Sequence, residues 1–359
     1  MIKRLFIMFV VAAVLIGMSV WYFSPTQKAR RAARSLEAFH AKGEQTFKWG
    51  IGINDYPTND LSPTVPGQVL DRVAELGANW VRFDIPGWQE QQLGYSEVTV
   101  NEALKRKIHV ALGFNPIAEE KIIEVKNPYE DGYEKGKQLA TRFKDRVRYY
   151  QISNEIGSNA IKPNWPGDTI ESYDPKLYKQ VLEWGKGAAD GVRAADPLAQ
   201  RIFTGNWITY GFFDEAVKDG LDFEVLGWDW YGGANGTFDL SKVEANGGVI
   251  DLTAKLKSYG KQLWITEAGA EEGSLQGEER QSRAVREFAT YVARSGDFQG
   301  FFPFRLHDES HKFGTNEANL GLVTLKRAEN GNFLTGEPKQ AFEAYQTIIS
   351  QYKNLSIAP

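Results

Sequence analysis

Between Lys48 and Tyr352 the sequence alternates between short apolar runs, rich in β-branched and aromatic residues, and longer segments with helical spacing. This alternation limits the fold more than any other feature, because strands regularly separated by helices build a parallel sheet covered by helices. The expected strands are Lys48 to Ile53, Trp80 to Ile85, Ile108 to Phe114, Val147 to Ser153, Ile202 to Gly205, Glu224 to Trp230, Lys261 to Glu267 and Gly300 to Arg305. Expected helices include Pro66 to Leu76 with Gly77 as C-cap, a short one over Asn101 to Arg106, Tyr133 to Phe143, and one from Asp174-Pro175 to Ala195. Further helices are expected over Ile250 to Tyr259, Glu278 to Arg294 and Pro338 to Tyr352, with Asn330-Gly331 as a hairpin turn. Eight strand–helix units suit an α/β fold of the (β/α)8 class, a TIM barrel of about 250 residues. A doubly wound open sheet is the alternative, but no glycine-rich phosphate fingerprint follows the first strand.

Ahead of this body, Lys3-Arg4 precedes an uncharged apolar run from Leu5 to Phe23. That length spans the ~30 Å hydrocarbon core of a bilayer, so residues 1–25 are expected to be a membrane-spanning signal anchor, with a cleaved signal peptide as the alternative. Residues 26–46 form a basic juxtamembrane linker, helical over Ala29 to Ala41, and 47–359 form the barrel domain. Lys28, Arg30, Arg31 and Arg34 outnumber the two charges before the span, so charge alone would keep the body cytoplasmic. The chemistry of the body, set out below, argues instead for export, either tethered to the outer face of the membrane or secreted. The basic segment also suits anionic lipid headgroups.

Composition removes several classes of function. The net charge of −4 and the lack of a basic stripe in the body exclude a nucleic-acid partner. With no cysteine there are no disulfides, thiolate metal sites or cysteine nucleophiles. No cofactor is expected, and a monomer is expected. The ten tryptophans serve packing or offer flat platforms for sugar rings.

Two strands end in a carboxylate. The fourth closes on Asn154-Glu155 before Gly157, and the seventh closes on Glu267 before Ala268-Gly269. Ligands bind at the carboxyl ends of parallel strands, and closing a barrel would bring these two ends to one mouth. Two glutamates facing one another are what cleavage of a glycosidic bond requires. One must hold a proton for the leaving oxygen, while the other must be ionised.

With strand four ending in Asn154-Glu155 and strand seven in Glu267, residues 48–352 resemble the clan-A glycoside hydrolases, a superfamily of retaining β-glycosidases on TIM barrels. Within it, the chain is similar to family-39-like and cellulase-like enzymes of bacterial exopolysaccharide loci. The resemblance implies that Glu155 is the general acid/base and Glu267 the nucleophile. It implies that Asn154 bonds the sugar 2-hydroxyl, that Arg82 keeps the nucleophile ionised, and that Tyr231 hydrogen-bonds it. Arg82 has a structural reading as well, as a partner for Asp84.

Trp88, Phe114, Asn115, Trp165, Trp207 and Trp230 fall at or just past strand ends and are candidate cleft residues, whereas Trp49, Trp80 and Trp264 lie inside strands and belong to the core. Strand eight departs from the resemblance. Many members carry a tryptophan there, and this chain has Phe304-Arg305-Leu306-His307-Asp308. Arg305 and His307 would suit an acidic or acetylated sugar, or else a structural ion pair with Asp308 or Glu309. His307 and His311 have metal-ligand spacing for a helix, but the segment has little helical character and no third ligand, so no metal is expected. The expected function is endo-acting hydrolysis of a polysaccharide or oligosaccharide. A non-catalytic glycan-binding barrel and a transglycosylase are the alternatives. A phosphate-handling barrel is disfavoured, since no anion loop follows strands seven or eight.

Overall fold

The computed structural model describes residues 25–53, 65–114, 122, 124–232, 238–309, 312 and 314–355. The chain divides into two compact units, 1–44 and 45–359. The first contributes most of helix α1 (Pro25–Gln45), longer at both ends than its sequence suggested, with a proline where a missing N–H costs nothing. Among the described residues no helix is long and apolar enough to cross a membrane, and the apolar run 5–23 lies outside them.

In the second unit, eight parallel strands close into a barrel. In chain order they are β1 (Lys48–Gly52), β2 (Trp80–Asp84), β3 (His109–Gly113), β4 (Tyr149–Ser153), β5 (Gln200–Asn206) and β6 (Val225–Gly232). A small hairpin of β7 (Val243–Ala245) and β8 (Gly248–Ile250) intervenes before β9 (Gln262–Ala270) and β10 (Gly300–Pro303), the seventh and eighth barrel strands. The ring runs β1-β10-β9-β6-β5-β4-β3-β2, so the open doubly wound alternative is excluded. Pro303, which lacks a ladder N–H, is the last residue of β10 rather than an interior one.

Helices wrap the barrel. Those at Pro66–Leu76, Pro175–Ala195 and Glu278–Ser295 match their sequence patterns closely, and the first ends on Gly77 at φ +83°, a left-handed cap that suits glycine. The segment expected as a short helix over Asn101 to Arg106 is instead a full helix, Glu90–Lys105. Gly94 and the run Val98-Thr99-Val100 hide its first turns from propensity, but a capping box between Gln89 and Gln92 starts it. The Asn330-Gly331 turn joins antiparallel β11 (Val323–Arg327) and β12 (Phe333–Pro338), with Gly331 at φ +84°.

Alternation along the strands sorts side chains between two cores. Trp80, Ala111, Tyr149, Ile202, Val225, Trp264 and Phe302 form one cluster inside the barrel, with Trp80 edge-on to Trp264 at 5.5 Å and Phe302 stacked on Trp264 at 5.7 Å. The residues between them, such as Val81, Tyr150, Leu226 and Ile265, face outward into the larger core under the helices. Trp49, Trp80 and Trp264 are all core residues, as their positions suggested. The inner aromatic layer plugs the barrel, and the polar residues further along each strand stand above it at the carboxyl ends.

The register shifts between β4 and β5, from Gln151 to Ser153, and again at a decisive place on β9. Trp228 pairs with Ile265, but Asp229 pairs with Glu267, so β9 carries one extra residue, Thr266. The pairing of β10 with β9 shows the same shift, between Phe301 opposite Ile265 and Pro303 opposite Ala268. Trp264 faces inward and Ile265 outward, so strict alternation would turn Thr266 in and Glu267 out. The bulge lets both face the interior. Room for Thr266 comes from Gly227, where a Cβ would sit 2.6 Å from the threonine Oγ1.

Candidate active site

Glu267 is buried at the bulge of β9. Arg82 of β2 places Nη1 2.8 Å from its Oε1, and the Tyr231 hydroxyl donates to its Oε2 at 2.6 Å. The guanidinium is itself tied down, with Nε donating to Gln151 Oε1 at 2.5 Å and Nη2 to Asn154 Oδ1 at 2.7 Å. Gln151 Nε2 also donates to Asn154 Oδ1, at 3.2 Å. The carbonyl of Asn154 therefore accepts from both Arg82 and Gln151. Burial works against the charge of Arg82, but Glu267, Asp84 and Asp229 outweigh it and raise its pKa above the ordinary arginine value. Burial and the Glu267 carboxylate likewise push the Tyr231 phenol up, which keeps it a neutral donor.

Glu155 stands two residues beyond β4 with φ of +48°, a left-handed conformation that costs a non-glycine residue about 1 kcal/mol. Its N–H is held by Thr204 Oγ1 at 2.7 Å, and its side chain bonds Asn206 at the end of β5. Burial first, and the neighbouring Glu267 second, raise its pKa to about 7, against the opposing pull of the Asn206 bond and Arg82. Of the two strand-end glutamates, Glu267 is thus held directly by a guanidinium and a phenol, and Glu155 by the amide of Asn206 in a buried setting.

One carboxyl oxygen from each of Glu155, Glu267 and Asp229 lies within 4.8 Å of the other two. Asp229 has no counterpart in the sequence expectations. It is an acid embedded in an apolar strand, Leu226-Gly-Trp-Asp-Trp230, and that interruption was the signal that could have found it. The same holds for Gln151 of β4 and Thr204 of β5, polar residues inside buried strands.

The tryptophans separate. Trp207 follows β5 at φ +44°, is 47 % exposed, and lies flat on Trp230 at 4.9 Å and 16°. Its carbonyl accepts from Trp228 Nε1 at 3.0 Å, which fixes the backbone under the ring. Trp230, expected in the cleft lining, is 2 % exposed and acts as the backing plate for Trp207. Phe114 is likewise core, packed against Trp184 and against half-buried Trp88. Trp165 is half exposed, with Lys162 Nζ 5.2 Å from its ring, on the long loop after β4. That loop is folded back on itself by an Ile161–Tyr173 bridge and by the Tyr173 hydroxyl, which donates to the carbonyls of Gly167 and Thr209.

After β10 the expectations need correcting. His307 is fully buried, its pKa is lowered to about 3 by burial, and neither ring nitrogen has a partner among the described residues. A neutral, enclosed ring cannot meet an acidic sugar. The Arg305 guanidinium donates to the Ile53 carbonyl at 2.7 Å and faces Glu309 at 3.6 Å, the ion-pair reading of that residue. Asp308 is buried against Lys339 at 2.7 Å. Asn115 and His311 lie outside the described residues.

No protein-family model and no curated protein matches the chain. Solved structures do match it. A β-glucosidase from Thermotoga maritima in complex with azafagomine aligns with a TM-score of 0.61 at 14% identity, covering 85% of this chain and 97% of that one. The same figures hold for its complex with galacto-hydroximolactam. A structure described as the Family 1 β-glucosidase from the same organism aligns at 0.60 and 12% identity, with the same coverage. At such identities the likeness is one of fold, a shared eight-stranded parallel barrel.

Proposed function

We propose that the chain is a retaining glycoside hydrolase of the clan-A type, acting on β-linked sugar chains, with Glu267 as nucleophile and Glu155 as general acid/base. The observation that carries this reading is the contrast between the two glutamates across a short gap. Glu267 is clamped by a guanidinium and a phenol, whereas Glu155 holds its proton to about pH 7. Their carboxyl oxygens approach within 4.8 Å. Retaining glycosidases hold their carboxyls about 5–5.5 Å apart, and inverting ones leave roughly 6.5–9.5 Å for a water.

The chemistry follows from that contrast. The Glu155 proton passes to the glycosidic oxygen as the bond to the anomeric carbon breaks, and Glu267 forms a bond to that carbon from the opposite face. With its proton gone, Glu155 accepts one from a water, which displaces Glu267 and releases the sugar. Burying Glu155 favours its protonated resting state, so the first step starts from the form the site itself prefers. Asn154, whose carbonyl is fixed by Arg82 and Gln151, presents its amide to a sugar hydroxyl beside the nucleophile.

Trp207, propped on Trp230 with its other face open, supports a sugar-stacking role, and Trp165 on the long loop extends the aromatic surface available to a polymer. An endo-acting enzyme on an exopolysaccharide suits such platforms. The apolar run 5–23 and the basic residues after it support export and tethering at a membrane. The test is a screen of the purified protein against defined β-linked polysaccharides, with Glu267→Gln as control and the anomeric form of the first product read by NMR. Release of a β-configured product by the wild type alone supports the reading. An α-configured product overturns retention, and equal activity of the variant overturns the assignment of the nucleophile.

A further inference from the structure

Asp229 is the one carboxyl of the central cluster to which the two-glutamate chemistry gives no task. It is 1 % exposed, and its strand position is directly opposite Glu267. Thr266, the extra residue of the bulge, donates to its Oδ1 at 2.6 Å, while Oδ2 is buried with no partner among the described residues. The groups around it are Glu267 from β9, Arg82 from β2, Glu155 from beyond β4 and, on its own strand, Tyr231. Asn206, its register partner on β5, adds no charge. The single guanidinium among them is spent on Glu267, Gln151 and Asn154. An ionised Asp229 would therefore be a second buried anion beside Glu267, with one hydroxyl bonded to it and the charge of Arg82 shared with Glu267.

We propose that Asp229 is a positioning residue that works as a neutral carboxylic acid, with its proton on Oδ2 facing Glu267, so that the nucleophile keeps Arg82 to itself and gains a donor beneath it. The assignment of the proton follows from the hydrogen bonding, because Oδ1 accepts from Thr266 and only Oδ2 is left to carry it. Burial and the charge of Glu267 both push the Asp229 pKa well above the usual carboxylate range, which agrees. The bulge thus does two things at once: it turns Glu267 inward and supplies the hydroxyl that orients the acid under it.

This inference rests on the glycosidase reading, but part of its test does not. Infrared difference spectra of the full chain, wild type minus Asp229→Asn at pH 8, read the protonation state directly, and the C=O stretch of a neutral carboxyl is expected in the wild type. In kinetics, Asp229→Ala is expected to lower kcat about 10- to 100-fold with KM little changed. Asp229→Asn, which keeps both a donor and an acceptor, recovers part of that rate and leaves the alkaline limb where it was. An absent carboxyl band overturns the proposal. So does an alkaline limb that falls in Asp229→Asn, because removing an anion next to Glu155 would ease its ionisation. A band together with no hydrolysis by the wild type sinks the catalytic reading and leaves the protonation assignment standing.

Discussion

Arg82 and Glu267, on β2 and β9, meet at 2.8 Å with both side chains almost fully enclosed, and Gln151 and Asn154 hold the other two nitrogens of the arginine. This is a three-point clamp. Lysine supplies the charge without the fork, so Arg82→Lys is expected to lose roughly 100-fold in kcat, measured as steady-state rates on a β-linked substrate. Arg82→Ala removes the charge altogether and leaves a buried carboxylate uncompensated. Urea unfolding should register a loss on the order of 3 kcal/mol.

Glu155 must be protonated to act, and its pKa stands near 7. The rate should therefore fall as pH rises through about 7, with Glu155→Gln losing roughly 10²–10⁴-fold on substrates with poor leaving groups. The sign for stability is opposite to the usual carboxylate case. A folded pKa above the unfolded value means that the native state binds the proton more tightly. Its contribution is thus present at low pH and lost as pH rises toward 7. Glu155→Gln should accordingly be more stable than the wild type at pH 8, by about 1 kcal/mol or more, with the advantage shrinking at pH 5. Thermal melts at the two pH values test this.

Trp207 offers one face to solvent and rests the other on Trp230. Trp207→Ala should raise KM for a polymeric substrate about tenfold, equivalent to ~1.4 kcal/mol of lost stacking, with a smaller change in kcat. Because the ring is half exposed, the melting temperature should barely move. A large drop in stability with unchanged KM would assign Trp207 to packing instead.

The pair Asp308–Lys339 lies away from the clamp and ties the segment after β10 to the start of the last helix, Gln340–Gln351, with Lys339 Nζ also donating to Ser274 Oγ at 2.8 Å. Burial pushes the aspartate pKa up and the lysine pKa down, and each is the main opposing charge for the other. Lys339→Met should cost about 3–5 kcal/mol in urea unfolding, while the double variant Asp308→Leu/Lys339→Met recovers much of it.

The barrel was legible from the sequence because strand and helix periodicities are local and because strand ends are punctuated by Asn154-Glu155 and by Glu267-Ala268-Gly269. The short-range signals failed where they compete, as in the helix Glu90–Lys105, whose Gly94 and β-branched middle argue against a helix that packing nevertheless stabilises. They were silent on residues after β10, since the same Arg-x-His pattern fits a mouth or a core. The structure put His307 in the core.

What the sequence by itself determined was the order of elements and the pair of acids at their ends, since both are written in neighbouring residues. Which way those acids point was decided by the tertiary structure alone. A period-two strand would turn Glu267 outward, and one additional residue, Thr266, reverses it by a register shift that exists only between β9 and its neighbours. Closure of the barrel then brings Arg82, Glu155, Asp229 and Glu267 into one low-dielectric space. There each ionisation state depends on the others, a property that no residue carries along the chain.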